Sequence, residues 1–114
     1  MVDDIRKQEV ITYTRETVFI EPGCFKCDYE EINGVPFFHF VFLTKPTVSL
    51  VKMLKLLCQE AEEEVWFAGH DCVYSYTKKE HKSLIKVMKH LGFNVIQEKE
   101  DLAILKKEIK IWQK

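Results

Sequence analysis

The chain has no long apolar stretch. Its longest, Val35 to Leu43, is nine residues and contains Pro36 and His39, well short of the roughly 20 residues that span a bilayer as a helix. It also has no excess of charge of one sign. Seventeen basic and eighteen acidic side chains leave a net −1, so no global field draws in nucleic acid or an anionic membrane. Glycine and proline are scarce, at four and three residues, and no linker, internal repeat or low-complexity tract divides the sequence. Met1 to Arg6 carry two aspartates and no apolar segment, which predicts no secretory signal and a reducing cytoplasmic setting. What remains is ordinary globular composition, 46% hydrophobic and 31% charged over 114 residues. By area scaling such a chain buries roughly two thirds of its surface without metal or disulfide staples. A single domain over residues 1–114 is expected, with 1–8 as a loose arm.

The first half reads as strands. Glu9 to Ile20 is rich in β-branched and aromatic residues and stops at Glu21-Pro22-Gly23, a proline-glycine turn. Cys24 to Ile32 runs into Asn33-Gly34, a strong signal for a two-residue hairpin. Val35 to Leu43 is apolar on both alternating faces, which places it in the middle of a covered sheet. The period then changes. From Thr47 to about Glu64, the residues Leu50, Leu54, Leu57 and Ala61 recur at helical spacing. Val65 to Ala68 reads as a short strand, and Gly69 to Tyr76 as extended chain or loop. Thr77-Lys78-Lys79-Glu80 has the form of a capping box. The helix it opens buries Leu84, Ile85, Val87, Met88 and Leu91 and stops at Gly92. Phe93 to Glu98 and Leu102 to Ile111 form a closing hairpin. The class is α/β (α+β), in the order β-β-β-α-β-α-β-β.

Leu91-Gly92-Phe93, where the second helix enters a strand behind a three-strand meander, resembles the GNAT superfamily of acyl-CoA-dependent N-acyltransferases over about residues 16 to 107. The resemblance implies a GNAT-like mixed central sheet with the N-terminal helices reduced or missing. It implies two parallel strands splayed apart to receive the pantetheine arm of acetyl-CoA, by position Val35–Leu43 and Val65–Ala68. It also implies an anion-binding loop before the first helix. Here that loop is Thr44-Lys45-Pro46-Thr47-Val48-Ser49, with no glycine to curl round a diphosphate and no amide on its proline. Lys45, Thr47 and Ser49 are then the candidate cofactor contacts, with His81 where the family commonly has asparagine. The tyrosine that often protonates the leaving thiolate falls at Met88, which cannot act as an acid. Tyr74, Tyr76 and His70 are the candidate replacements.

These departures point to a degenerate domain that acts by binding a protein partner, in the manner of small phage or mobile-element proteins. The alternative is an acetyl-CoA-dependent N-acyltransferase acting on an amine. The helix carrying Gln59 to Glu64 ends acidic, whereas the one carrying Lys82, Lys86, Lys89 and His90 is basic. That contrast suits a homodimer or a charged partner. Two other constellations have plainer readings. Cys24-x-x-Cys27 has zinc-like spacing, but no second pair follows at ligand spacing, so buried thiols and no metal are expected. Gly69-His70-Asp71-Cys72 holds a base, an acid and a thiol, though neighbours on one loop rarely face one another.

Overall fold

The computed structural model describes residues 12–110. The expected loose arm at 1–8, the start of the first strand and Ile111 lie outside them. Three antiparallel strands come first: β1 (Tyr13–Glu21), β2 (Phe25–Ile32) and β3 (Val35–Phe42). The turn before β2 is closed by the Cys24 amide donating to the Glu21 carbonyl. The turn before β3 is Asn33-Gly34, both residues at positive φ, as a two-residue hairpin with the sheet's twist requires. Helix α1 (Val48–Phe67), strand β4 (Cys72–Lys78), helix α2 (Lys82–His90) and the hairpin β5 (Asn94–Lys99) and β6 (Leu102–Glu108) complete the chain order. The six strands form one mixed sheet in the order β1-β2-β3-β4-β6-β5, with β3 and β4 parallel. Over the described residues the architecture is mixed α+β, with six strands and two helices.

The fourth strand is not where the residue pattern predicts it. Val65-Trp66-Phe67 favours a strand by residue type, yet it is the last turn of α1. The buried stripe decides this: Leu54, Cys58, Ala61 and Val65 recur every three to four residues, all at 8% exposure or less, and Val65 keeps its place on that stripe only in a helix. Gly69 then ends the helix at φ +103. Its amide donates to the Trp66 carbonyl and the His70 amide to the Val65 carbonyl, the paired bonds of a Schellman cap. The segment read as extended chain or loop, Gly69 to Tyr76, contributes most of β4, with Val73, Ser75 and Thr77 alternating inward.

Thr77 belongs to β4, paired with Ala103, so its backbone is committed to the sheet and the capping box does not form. His81 is the N-cap residue of α2 and makes no side-chain cap bond. At its other end α2 stops at Gly92, φ +101. There the Gly92 amide donates to the Lys89 carbonyl and the Phe93 amide to the Met88 carbonyl.

Both described helices lie on one face of the sheet. Cys27 pairs with Phe40, Tyr29 with Phe38, and Ser75 with Leu105, so these side chains share a face. Cys27, Phe38, Phe40 and Leu105 meet Leu54, Cys58, Val65, Met88 and Leu91 of the helices in one core. β3 is central, but only one of its faces is covered by a described helix. Phe38 and Phe40 are buried, whereas Phe37, His39 and Val41 on the other face are half-buried. The acidic end of α1 is not wholly exposed. Glu62 is buried and accepts a hydrogen bond from Lys107 Nζ at 2.6 Å. No described helix is long and apolar enough to cross a membrane.

Candidate functional site

β3 and β4 run parallel and pair at Phe37 and Tyr74. Just past that point the Ser75 hydroxyl donates to the Phe38 carbonyl at 2.6 Å, a side chain standing in where a ladder bond would be. Beyond it neither strand finds a ladder partner in the other, and a cleft of about 960 Å³ opens between them. Its walls are His39 to Phe42 of β3, Tyr76 to Lys78 of β4, Leu84 and Val87 of α2, and Leu102 of β6. Lys45, Lys78, His81 and Lys82 stand on its lining. At Pro46, Ser83 and Val87 the cleft adjoins a second groove of about 560 Å³ between the start of α1 and α2, lined by Lys52, Lys55, Lys86 and His90. Glu80 is the one acid among the described residues lining either. Thr47 caps α1, its Oγ1 accepting from the Leu50 amide at 3.2 Å, and the first-turn amides of Val48 and Ser49 have no intrahelical acceptor. Such an end favours anions.

On the face opposite the helices, the wall of the cleft continues into a polar and aromatic cluster. Asp28 Oδ2 accepts from Arg15 Nε at 2.8 Å and Nη2 at 2.6 Å, and Oδ1 from the Thr17 hydroxyl at 2.8 Å. Glu30 accepts from the hydroxyls of Tyr13 and Tyr76. Both carboxylates are 2% exposed. Desolvation pushes Asp28 up, but the Thr17 and Arg15 hydrogen bonds outweigh it and hold the carboxyl below its ordinary value. Burial, then the bond to Glu30, pushes the Tyr76 hydroxyl up to about 12. Tyr76 stacks on His39 with centroids 5.4 Å apart, and Phe37 packs against both Tyr74 and Tyr76.

The residues singled out in the sequence separate accordingly. Tyr76, Lys45 and His81 line the cleft and Thr47 the adjoining groove. Ser49 is exposed and lines neither. Tyr74 lies on the open face beside Phe37, its hydroxyl raised chiefly by a hydrogen bond with Cys72. His70 sits past the end of α1, its Nε2 3.8 Å from Glu31, away from the cleft lining. Met88 is buried in the core at 1% exposure. All four cysteines are free. Cys27 and Cys58 are buried thiols whose pKa burial drives upward, Cys58 to about 12. Among the described residues no three histidine, cysteine or acidic side chains converge to hold a metal ion.

Sequence reasoning missed His39 and Glu30 as site residues. The signal for His39 was a single imidazole inside an otherwise apolar strand. For Glu30 it was a carboxylate two residues after Asp28, so that both share one strand face.

No protein-family profile matches the chain, and no curated protein matches it. Among solved structures it is similar to a protein from Sphaerobacter thermophilus DSM 20745 provisionally named an acetyltransferase. The identity is 13%, the TM-score 0.42, and the match covers 88% of this chain and 67% of that one. At that score the likeness says nothing about activity, and only the geometry of the cleft bears on it.

Proposed function

We propose that the cleft binds an acyl-CoA such as acetyl-CoA and that the chain transfers its acyl group to an amine. One observation carries this reading: β3 and β4 part after Phe37 and Tyr74, and the opening leads from an apolar slot to a lysine-lined groove at the start of α1. An extended ligand, amide-bearing along its arm and phosphorylated at its far end, matches both halves. Unpaired strand edges meet the amides, and Lys52, Lys55, Lys86 and the α1 N-terminus meet the phosphates. The glycine-free loop contributes less backbone than the resemblance implies, and the lysines carry more of the anion binding.

Calorimetric titration with CoA and acetyl-CoA tests this. Saturable binding is expected, weakened by Lys45→Ala and by Thr47→Ala. At a hundred times its dissociation constant the ligand should add about 2.7 kcal/mol to stability, a shift visible in thermal unfolding. No heat and no shift at millimolar concentration would overturn the reading.

Binding of a protein partner without transfer is the second reading. The outer side of α1 favours it, where Leu56 is 64% and Phe67 81% exposed, more apolar surface than a solvated helix face needs.

A further inference from the structure

Resting on the reading of the cleft as a thioester site, we propose that His39 is its proton acceptor, taking the proton of an amine that reaches the vertex along the sheet face opposite the helices. His39 and Tyr76 each lie two residues beyond the Phe37 and Tyr74 pairing, on the same side of the sheet, at the place where the strands begin to part. The imidazole lines the cleft and makes no hydrogen bond with any described residue. Its Nδ1 is sealed in without a partner, whereas Nε2 is not sealed in. A buried polar nitrogen left unpaired is costly and calls for a reason. Stacking on Tyr76 supplies part of one, because it fixes the ring plane.

The neighbours leave this role to His39. The Tyr76 hydroxyl is spent on Glu30, and lysine ammonium groups are donors only. Glu80 and His81 lie just before α2, and His81 Nδ1 already faces the Thr77 hydroxyl at 3.5 Å. The charged and titratable groups sharing the face of His39 include Tyr13 and Arg15 of β1, Lys26, Asp28 and Glu30 of β2, Cys72, Tyr74, Tyr76 and Lys78 of β4, Lys99 of β5, and Lys106 and Glu108 of β6. Asp28 is the cross-strand partner of His39, but its oxygens are held by Arg15 and Thr17. In the transfer, the amine lone pair forms a C–N bond to the thioester carbonyl carbon. The C–S bond breaks with its electron pair on sulfur. The nitrogen's proton passes to His39 and from there to the thiolate, leaving an amide and a thiol.

Hydroxylamine with acetyl-CoA is the probe, read as hydroxamate formed above the uncatalysed rate. His39→Gln and His39→Asn are compared with the wild type after thermal unfolding has shown which variants fold. CoA affinity should stay within about threefold, while transfer falls about 10²- to 10⁴-fold. In the wild type, the His39 ring ¹⁵N signals should move on adding acetyl-CoA, a readout that needs no variant. Transfer in a folded variant within about threefold of wild type, CoA binding without any transfer by the wild type, or an unmoved His39 signal would each overturn the role of His39. Absence of CoA binding by the wild type would overturn the thioester reading, and this role with it.

Discussion

Asp28 is a buried acid whose oxygens are both hydrogen-bonded, and that makes it a pH-sensitive point in the sheet. Thr17 holds one oxygen, Arg15 grips the other with two nitrogens, and Lys26 Nζ stands 3.5 Å away. These donors favour the ionised form more than burial disfavours it, so the folded-state pKa lies below the ordinary carboxyl value. A depressed carboxyl contributes stability that is complete above its unfolded pKa, about 3.9, and is lost as pH falls through the folded value. The melting temperature should therefore hold from neutral pH down to about 5 and fall below about 4, in the window set by those two values. Asp28→Asn should lower the neutral plateau by about 1–3 kcal/mol, the worth of a hydrogen bond to a charged group. It should also flatten part of the acid limb. An acid limb identical in the two proteins would show that other carboxyls set it.

At the level of elements, both described helices end by the same device, and comparing them separates two physical costs. Gly69 and Gly92 each sit at positive φ as the residue after the helix cap. An added Cβ at Gly69 meets nothing within 4 Å, whereas at Gly92 it comes within 3.0 Å of Lys107 Cε. Lys107 cannot give way freely, because its Nζ is bonded to buried Glu62. Gly69→Ala should cost about 1–2 kcal/mol from backbone conformation alone, and Gly92→Ala more, by whatever it takes to displace Lys107. Urea unfolding of the two variants measures the difference; equal losses would mean that Lys107 moves aside without penalty. The Gly92 stop was legible in sequence because an amphipathic stripe led up to it. Gly69 carried the same signal, but Val65-Trp66-Phe67 looked like a strand, and only packing of Val65 against the core resolves the conflict. The candidate site was legible in part for a similar reason. Lys45, Thr47, Tyr76 and His81 fall at element ends or on a strand face that the chain order brings to the cleft and its adjoining groove. His39 joins them only through the register of β3 with β4, a pairing between distant segments that no local pattern states.

For the whole molecule, a net charge of −1 conceals a segregated surface. Lys45, Lys78 and Lys82 line the cleft and Lys52, Lys55 and Lys86 the groove beyond it, while Glu60, Glu63 and Glu64 lie near the opposite end of α1. A ligand entering the groove therefore meets a local field that the net charge does not reveal. The Debye length shrinks from about 30 Å at 0.01 M salt to about 10 Å at 0.1 M, so the contribution of these lysines should weaken with salt. CoA affinity should fall roughly tenfold over that range, equivalent to about 1.4 kcal/mol. Pantetheine, which carries the arm without the phosphates, should bind more weakly and respond little. The triple change Lys52→Glu, Lys55→Glu and Lys86→Glu should lower CoA affinity by at least as much at low salt and leave pantetheine unaffected. If CoA and pantetheine respond alike to salt and to the triple variant, the lysine groove contributes nothing to ligand binding. The apolar slot between β3 and β4 would then have to hold the ligand by itself.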